Sequence, residues 1–270
     1  MTQEHNESGA ILIAVLLILT LLAGIVAALV HSGHNARQML EAEDALLRRE
    51  NALRSVIANL GATLSSPAAA DRRDGHSFSV PDPNGAMVTV KVQAVSGLVN
   101  ANVASASLLE GLFRAAGADL QTAQDKAMAI VAVRQQAPFV SLTDLFSFFS
   151  DDVSLWRRVR PALTVLGKAD TLDPDTAPRL ALLAVPGMTA EAADSLIANR
   201  TTPDWPTTGR QQAELLYRPF LGGEDSGIYA FSLRIGSDRL TNTGTGILDT
   251  DRRFHLIGLD WPNEEEGFTR

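Results

Sequence analysis

The 270-residue chain has no cysteine. That excludes a disulfide framework, a thiolate metal site and a cysteine nucleophile, and it leaves the redox compartment undecided. An excess of base is missing too: 23 Lys and Arg stand against 31 Asp and Glu, for a net charge of −8. Nonspecific nucleic-acid binding rests on neutralising phosphates, so an acidic chain argues against it. Catalytic motifs are also absent. The histidines (His5, His31, His34, His76 and His255) are scattered and show no ligand spacing such as H-E-x-x-H. His31 and His34 lie one helical turn apart and read as interfacial residues. There is no G-x-S-x-G, and Gly167-Lys168-Ala169 lacks the Ser/Thr and the upstream Gly of a phosphate loop. The sequence offers no site for an enzyme.

What is present is an uninterrupted apolar run, residues 10–30, with no charge and with Thr20 as its single polar side chain. These 21 residues, at about 1.5 Å of helical rise each, cover roughly the hydrocarbon thickness of a bilayer. In lipid every backbone group must be paired within its own segment, so the run is expected to be a helix. It can be read as a secretory signal or as a retained anchor. Its length, the lack of a basic stretch before it and the lack of an A-x-A site after it favour the anchor. The leader 1–9 (MTQEHNESG) contains no Lys or Arg, whereas Arg37, Arg48 and Arg49 follow the run. The positive-inside rule alone would therefore place the main part of the chain in the cytoplasm.

The helical pattern continues past the run. Met39, Leu40, Leu46, Leu47, Leu53, Val56, Ile57, Leu60 and Leu64 recur at three- and four-residue steps, with charged residues between them and Gly61 as an expected C-cap. A coiled-coil stalk would need stricter heptads. Residues 65–74 read as a loop. Strands are expected at 76–80 and 86–95 around the turn Asp82-Pro-Asn84-Gly85, and again at 227–235, 239–248 and 252–261. Between them, 97–222 reads as mostly helix. It contains a repeat at an offset of 73: Leu98-Val-Asn100-Ala-Asn102-Val-Ala-Ser105 aligns with Thr171-Leu-Asp173-Pro-Asp175-Thr-Ala-Pro178. Each copy is followed by a leucine-bearing helix, and later 127–134 matches 193–200. Val185-Pro-Gly-Met-Thr189 is a link of the helix-hairpin-helix type.

Asn100 and Asn102 are expected to satisfy loop backbone groups. Asp170, Asp173 and Asp175 could supply hard oxygen ligands for calcium or act as caps and turn formers. Helix-hairpin-helix links often grip phosphates, which makes a membrane-anchored DNA-uptake receptor the competing function. Against it, the hairpin lacks a second Gly and 97–222 carries 11 basic and 13 acidic residues.

A polar leader ending on Gly9, with an apolar helix starting at the next residue, resembles the class III signal of type IV pilins and type II secretion pseudopilins. The resemblance implies that a prepilin peptidase cuts between Gly9 and Ala10 and methylates the new N-terminus. Most members carry a Glu at the fifth mature position, here Ala14. That Glu neutralises a neighbour's terminal amine, so a subunit without it fits only where no neighbour lies above. Its absence marks the K-type minor pseudopilins, the GspK family, whose helical domain also carries "hydrophobic-N-x-N-T-A" motifs. The first copy here keeps both Asn but has Val103 for Thr, and the second has Asp173 and Asp175 but keeps Thr176-Ala177.

The implied fold is α+β: a long transmembrane and spine helix packed on a small antiparallel sheet, with a large all-helical insertion holding helix-hairpin-helix-like repeats. The implied division is leader 1–9, transmembrane helix 10–30, amphipathic spine 31–64, sheet part 65–96 and 223–270, and inserted helical domain 97–222. The implied role is to cap the tip of the pseudopilus and to initiate or limit its assembly for export of folded proteins, without catalysis. The implied partners are the I- and J-type minor pseudopilins, the major pseudopilin, prepilin peptidase and inner-membrane lipid, with no nucleic acid. The chain would be a single-pass protein of the bacterial inner membrane with its globular part in the periplasm. Structural calcium in the helical domain is implied by the same resemblance.

Overall fold

The computed structural model describes residues 4–64, 73–82, 85–235, 240–249 and 253–264, and within these the side chains at 15–24, 39–41, 43–64, 73–82, 85–235, 241–249 and 253–258. The chain forms two compact units, Met1–Ala52 and Leu53–Arg270.

The first unit is helical and contains most of α1 (Glu4–Leu64). Most of its described apolar side chains, including Leu16, Leu19, Leu22, Met39, Leu40, Leu46 and Leu47, are exposed, and Ala52 at its end is buried. Asp44 and Arg48 pair one turn apart. Among the described residues no helix is long and apolar enough to cross a membrane. Of the expected span 10–30, which lies within α1, only the side chains at 15–24 are described.

The second unit begins with the end of α1. It continues in chain order through β1 (Asp74–Pro81), β2 (Met87–Ala94), β3 (Val99–Asn100), α2 (Ala106–Ala115), α3 (Leu120–Arg134), α4 (Leu142–Phe146), α5 (Val153–Val159) and β4 (Leu163–Thr164). Then come α6 (Arg179–Leu183), α7 (Ala190–Asn199), α8 (Arg210–Leu216), β5 (Ile228–Ile235), β6 (Leu240–Leu248) and β7 (Phe254–Glu264). Five strands form one antiparallel sheet in the order β1-β2-β5-β6-β7. β2 and β5 are neighbours, paired from Val88↔Ile235 to Ala94↔Tyr229, so the helices of 97–222 are inserted between two adjacent strands.

Strand alternation builds the core. Val88, Val90, Val92 and Ala94 of β2 and Tyr229, Phe231 and Leu233 of β5 point to one buried face. Leu53, Val56, Leu60 and Leu64, at helical spacing on α1, close over it. The end of α1 is clasped from the sheet side. Arg73 donates to the Leu64 carbonyl, one of the acceptors that a helix C-terminus leaves unpaired, and its guanidinium pairs with Asp225 at 2.9 Å. The Tyr229 hydroxyl donates to the same Asp225 carboxylate at 2.5 Å, and burial pushes its phenol well above the ordinary value.

Two sequence expectations are corrected. Gly61 is not a C-cap: α1 continues to Leu64, and Gly61 is a buried residue beside Leu60 on the helix. β7 runs to Glu264, three residues beyond the strand expected at 252–261. Two β6 glycines sit under rings: a Cβ on Gly244 would fall 2.7 Å from the Phe231 Cζ, and one on Gly246 would press into the Phe254 ring. Aromatic side chains thus cover the surface that a glycine-bearing strand leaves bare.

The insertion has its own core, in which Leu109, Leu112, Phe113, Ile130, Phe149 and Leu155 are fully buried. Phe113 and Phe149 meet edge to face with centroids 5.4 Å apart. Most helices of the insertion start on a short polar cap, whereas α6 and α8 do not. Ser105 accepts from the Leu108 N–H, Asp119 from Thr122, Asp152 from Leu155 and Thr189 from Ala192. The carboxyls of Asp119 and Asp152 are held below the ordinary range, chiefly by the Thr122 N–H and by the Ser154 hydroxyl respectively.

Candidate functional site

The repeat seen in the sequence is a structural duplication. In the first copy Asn100 Oδ1 accepts from the Asn102 N–H at 3.0 Å, and in the second Asp173 Oδ1 accepts from the Asp175 N–H at 3.0 Å. The turn then closes on Ala104 N–H to Asn100 O and on Ala177 N–H to Asp173 O. Arg134, at the end of α3, donates to the Ala101 carbonyl at 2.9 Å, and Arg200, just past α7, donates to the Pro174 carbonyl at 2.8 Å. The correspondence extends beyond the aligned letters. Val99 pairs in parallel with Leu163, and Leu172, its counterpart, pairs in parallel with Leu221. Each copy therefore opens and closes on its own short parallel bridge.

The two hairpins, α2–α3 and α6–α7, meet where α2 crosses α6. A Cβ on Gly111 would run into the Ala184 carbonyl, 2.9 Å from its carbon and 3.2 Å from its Cα. Gly111 and Ala184 stand at the same offset of 73, so the crossing joins equivalent points of the two copies, as an approximate two-fold relation requires.

The copies differ in how the loop is satisfied. Asn100 Nδ2 donates to the carbonyls of Leu166 (2.9 Å) and Gly167 (3.1 Å). Asn102 Nδ2 donates to Phe139 O and Val165 O, both at 2.9 Å, while its Oδ1 accepts from the Phe139 N–H at 2.8 Å. These amides satisfy loop backbone groups, as the sequence suggested. We predict that Asn102→Leu leaves two carbonyls and one N–H without partners and costs about 2 kcal/mol, read as a lower melting temperature. A variant melting with the wild type would refute this role.

In the second copy carboxylates replace the amides, and the partners become donors. Asp173 is 2% exposed. Its Oδ2 accepts from Thr176 Oγ1 at 3.0 Å and Ser96 Oγ at 3.4 Å, and burial pushes its pKa up. Asp175 accepts from Trp205 Nε1 at 2.6 Å and is paired with Arg210. The Arg210 guanidinium also donates to Glu214 Oε1 and to Gly223 O, both at 2.9 Å, and its Nη2 stands 3.8 Å from Asp173 Oδ1. The sequence carried no signal for Arg210, which lies 35 positions beyond the loop residue Asp175, at the start of α8.

Calcium takes about six to eight oxygens at close range. The three aspartates named as candidates do not form such a set. Asp170 is exposed, Asp173 is engaged by hydroxyl and amide donors, and Asp175 faces a guanidinium. Among the described residues no group of three or more His, Cys, Asp or Glu could hold a metal ion. These residues do not fit the calcium that the family resemblance implied.

An open groove of about 750 Å³ lies between the hairpin turns, lined by Glu110, Arg114, Asp119, Pro186, Gly187 and Met188 among others. Two carboxylates against one guanidinium are a poor surface for phosphates. Gly9, Ala10 and Ala14 fall within the bounds of α1, and their side chains lie outside the described residues.

No protein family matches the sequence, and no curated protein does. Solved structures do match. A chain from the crystal structure of the GspK-GspI-GspJ complex of the enterotoxigenic Escherichia coli type 2 secretion system aligns with a TM-score of 0.54. The alignment covers 86% of this chain and 100% of that one, at 13% identity. The fold is that of a subunit of this complex. A match of that extent leaves out far fewer residues than either the sheet part or 97–222 contains, so the GspK-GspI-GspJ likeness takes in both the sheet and the duplicated insertion.

Proposed function

We propose that the chain is a minor pseudopilin of the K type in a type II secretion system, acting by assembly and not by catalysis. The observation that carries this reading is the fold match to the GspK-GspI-GspJ complex over 86% of the chain, sheet and insertion together. The leader ending on Gly9, the apolar run after it and the Asn/Asp loops of the insertion support it independently. The exposed apolar face of α1 suits lateral packing against other helices, and the natural partners on this reading are the I- and J-type subunits with the major pseudopilin beneath. The mature helix would anchor the chain in the inner membrane with its second unit in the periplasm. A broad helical insertion on the sheet, and Ala14 in place of a carboxylate, would both prevent a further subunit from stacking above. The chain would thus end the pseudopilus at its tip.

The test is N-terminal sequencing of the membrane-bound protein, in the wild type and in Gly9→Ala. The expected wild-type start is an N-methylated Ala10, and the expected variant is an uncleaved precursor. A wild-type chain beginning at Met1, or a variant processed normally, would sink the proposal.

A further inference from the structure

We propose that Arg210 is the built-in cation of the second repeat loop, and that it fixes the insertion to the sheet where a divalent metal would otherwise be required. The argument starts from the connections. The chain enters the insertion at Ser96, directly after β2, and leaves it at Gly223, shortly before β5. Both ends converge on Asp173. The Asp173 N–H donates to Ser96 O at 2.9 Å, and the Ser96 hydroxyl reaches its carboxylate at 3.4 Å. At the exit, Gly223 packs so closely that a Cβ there would lie 2.9 Å from Asp173 N. Gln93 of β2 adds a bond from its Nε2 to Thr176 O at 2.9 Å. The loop is the throat of the insertion.

A loop carrying two acidic side chains at a throat needs a countercharge. The first copy of the repeat avoids the need by using Asn100 and Asn102, neutral amides that donate to carbonyls. The second copy keeps the turn but holds Asp173 and Asp175, one of them almost wholly removed from water. An uncompensated buried carboxylate is costly, and the two usual remedies are a metal or a fixed cation. Arg210 supplies the second remedy. Its three nitrogens are divided between Glu214, Asp175 and the Gly223 carbonyl, so one planar group ties α8, the acidic loop and the exit segment before β5 together. Lysine could supply the charge but not this fork. The inference concerns the throat alone and does not depend on the assembly reading.

The experiment is thermal melting of the full-length chain in detergent, with millimolar CaCl2 and with EDTA, for the wild type, Arg210→Gln and Arg210→Lys. The wild type is expected to melt at one temperature in both solutions. Arg210→Gln is expected to melt lower by roughly 5–10 °C, with Arg210→Lys in between. A wild type stabilised by calcium or weakened by EDTA would overturn the proposal. So would an Arg210→Gln variant melting with the wild type. If Arg210→Gln does not fold, the wild-type comparison and Arg210→Lys still decide.

Discussion

Gly111→Val is expected to break the crossing of the two hairpins and cost about 4 kcal/mol or more, which is large against a typical total stability of roughly 5–15 kcal/mol. The reason is geometric. Ordinary overpacking displaces a flexible neighbour, whereas here a Cβ meets the Ala184 backbone, its carbonyl carbon at 2.9 Å and its Cα at 3.2 Å. A backbone in the middle of the insertion cannot give way without separating α2 from α6. The informative control is Gly117→Ala. Gly117 has φ +96°, but a Cβ there meets nothing within 4 Å, so its cost is that of the left-handed conformation alone, about 1–2 kcal/mol. Melting curves of the two variants should separate clearly. Equal curves would mean that the close approach of α2 and α6 does not exist in solution.

The second large effect is expected on α1. Leu60 is 1% exposed and belongs to the cluster that joins the helix to β2 and β5. Leu60→Asp removes a buried side chain and places a carboxylate among the apolar side chains of that cluster. Loss of the leucine costs about 2–5 kcal/mol and the stranded charge adds to it, so the sheet should lose its hold on the helix at room temperature. Met39→Asp is the matched comparison. Met39 lies on the same helix in the same apolar pattern but is 75% exposed, and its replacement should change stability by no more than about 0.5 kcal/mol. If the pseudopilin reading holds, Met39→Asp should instead impair secretion in cells. Leu60→Asp protein that melts like Met39→Asp would contradict the packing of α1 on the sheet.

The contrast between Leu60 and Met39 also shows what the sequence can and cannot say. Periodicity placed both on one apolar face, and it was right about the helix. It could not tell which part of the face is covered by this chain, because that depends on where the sheet ends. The strands were legible for a related reason: alternation of Val88, Val90, Val92 and Ala94, and of Tyr229, Phe231 and Leu233, is a local signal of a half-buried sheet. The repeat was legible in its loop letters, down to the backbone-satisfying role of Asn100 and Asn102. The parallel bridges Val99↔Leu163 and Leu172↔Leu221 were not, since they join only one or two residue pairs about 50 or more positions apart. Arg210 was invisible for the same reason. A lone arginine on a short helix carries no mark of the carboxylates it will meet. Calcium was a fair expectation from alternating aspartates, but the nearby Thr176 hydroxyl and Asp175 amide engage Asp173, and the distant Arg210 engages Asp175.

The pairing of Ala94 with Tyr229 has a consequence for how such a molecule can change over evolutionary time. Neighbouring strands lie about 5 Å apart, so the ends of everything carried between β2 and β5 are side by side. A short reverse turn could close the same gap and leave an ordinary hairpin in a complete sheet. The helical block is therefore attached like a graft on a single stem. Lineages could enlarge it, shorten it or exchange it without disturbing the strand order beneath, provided that the graft brought along the charges that seal its own neck.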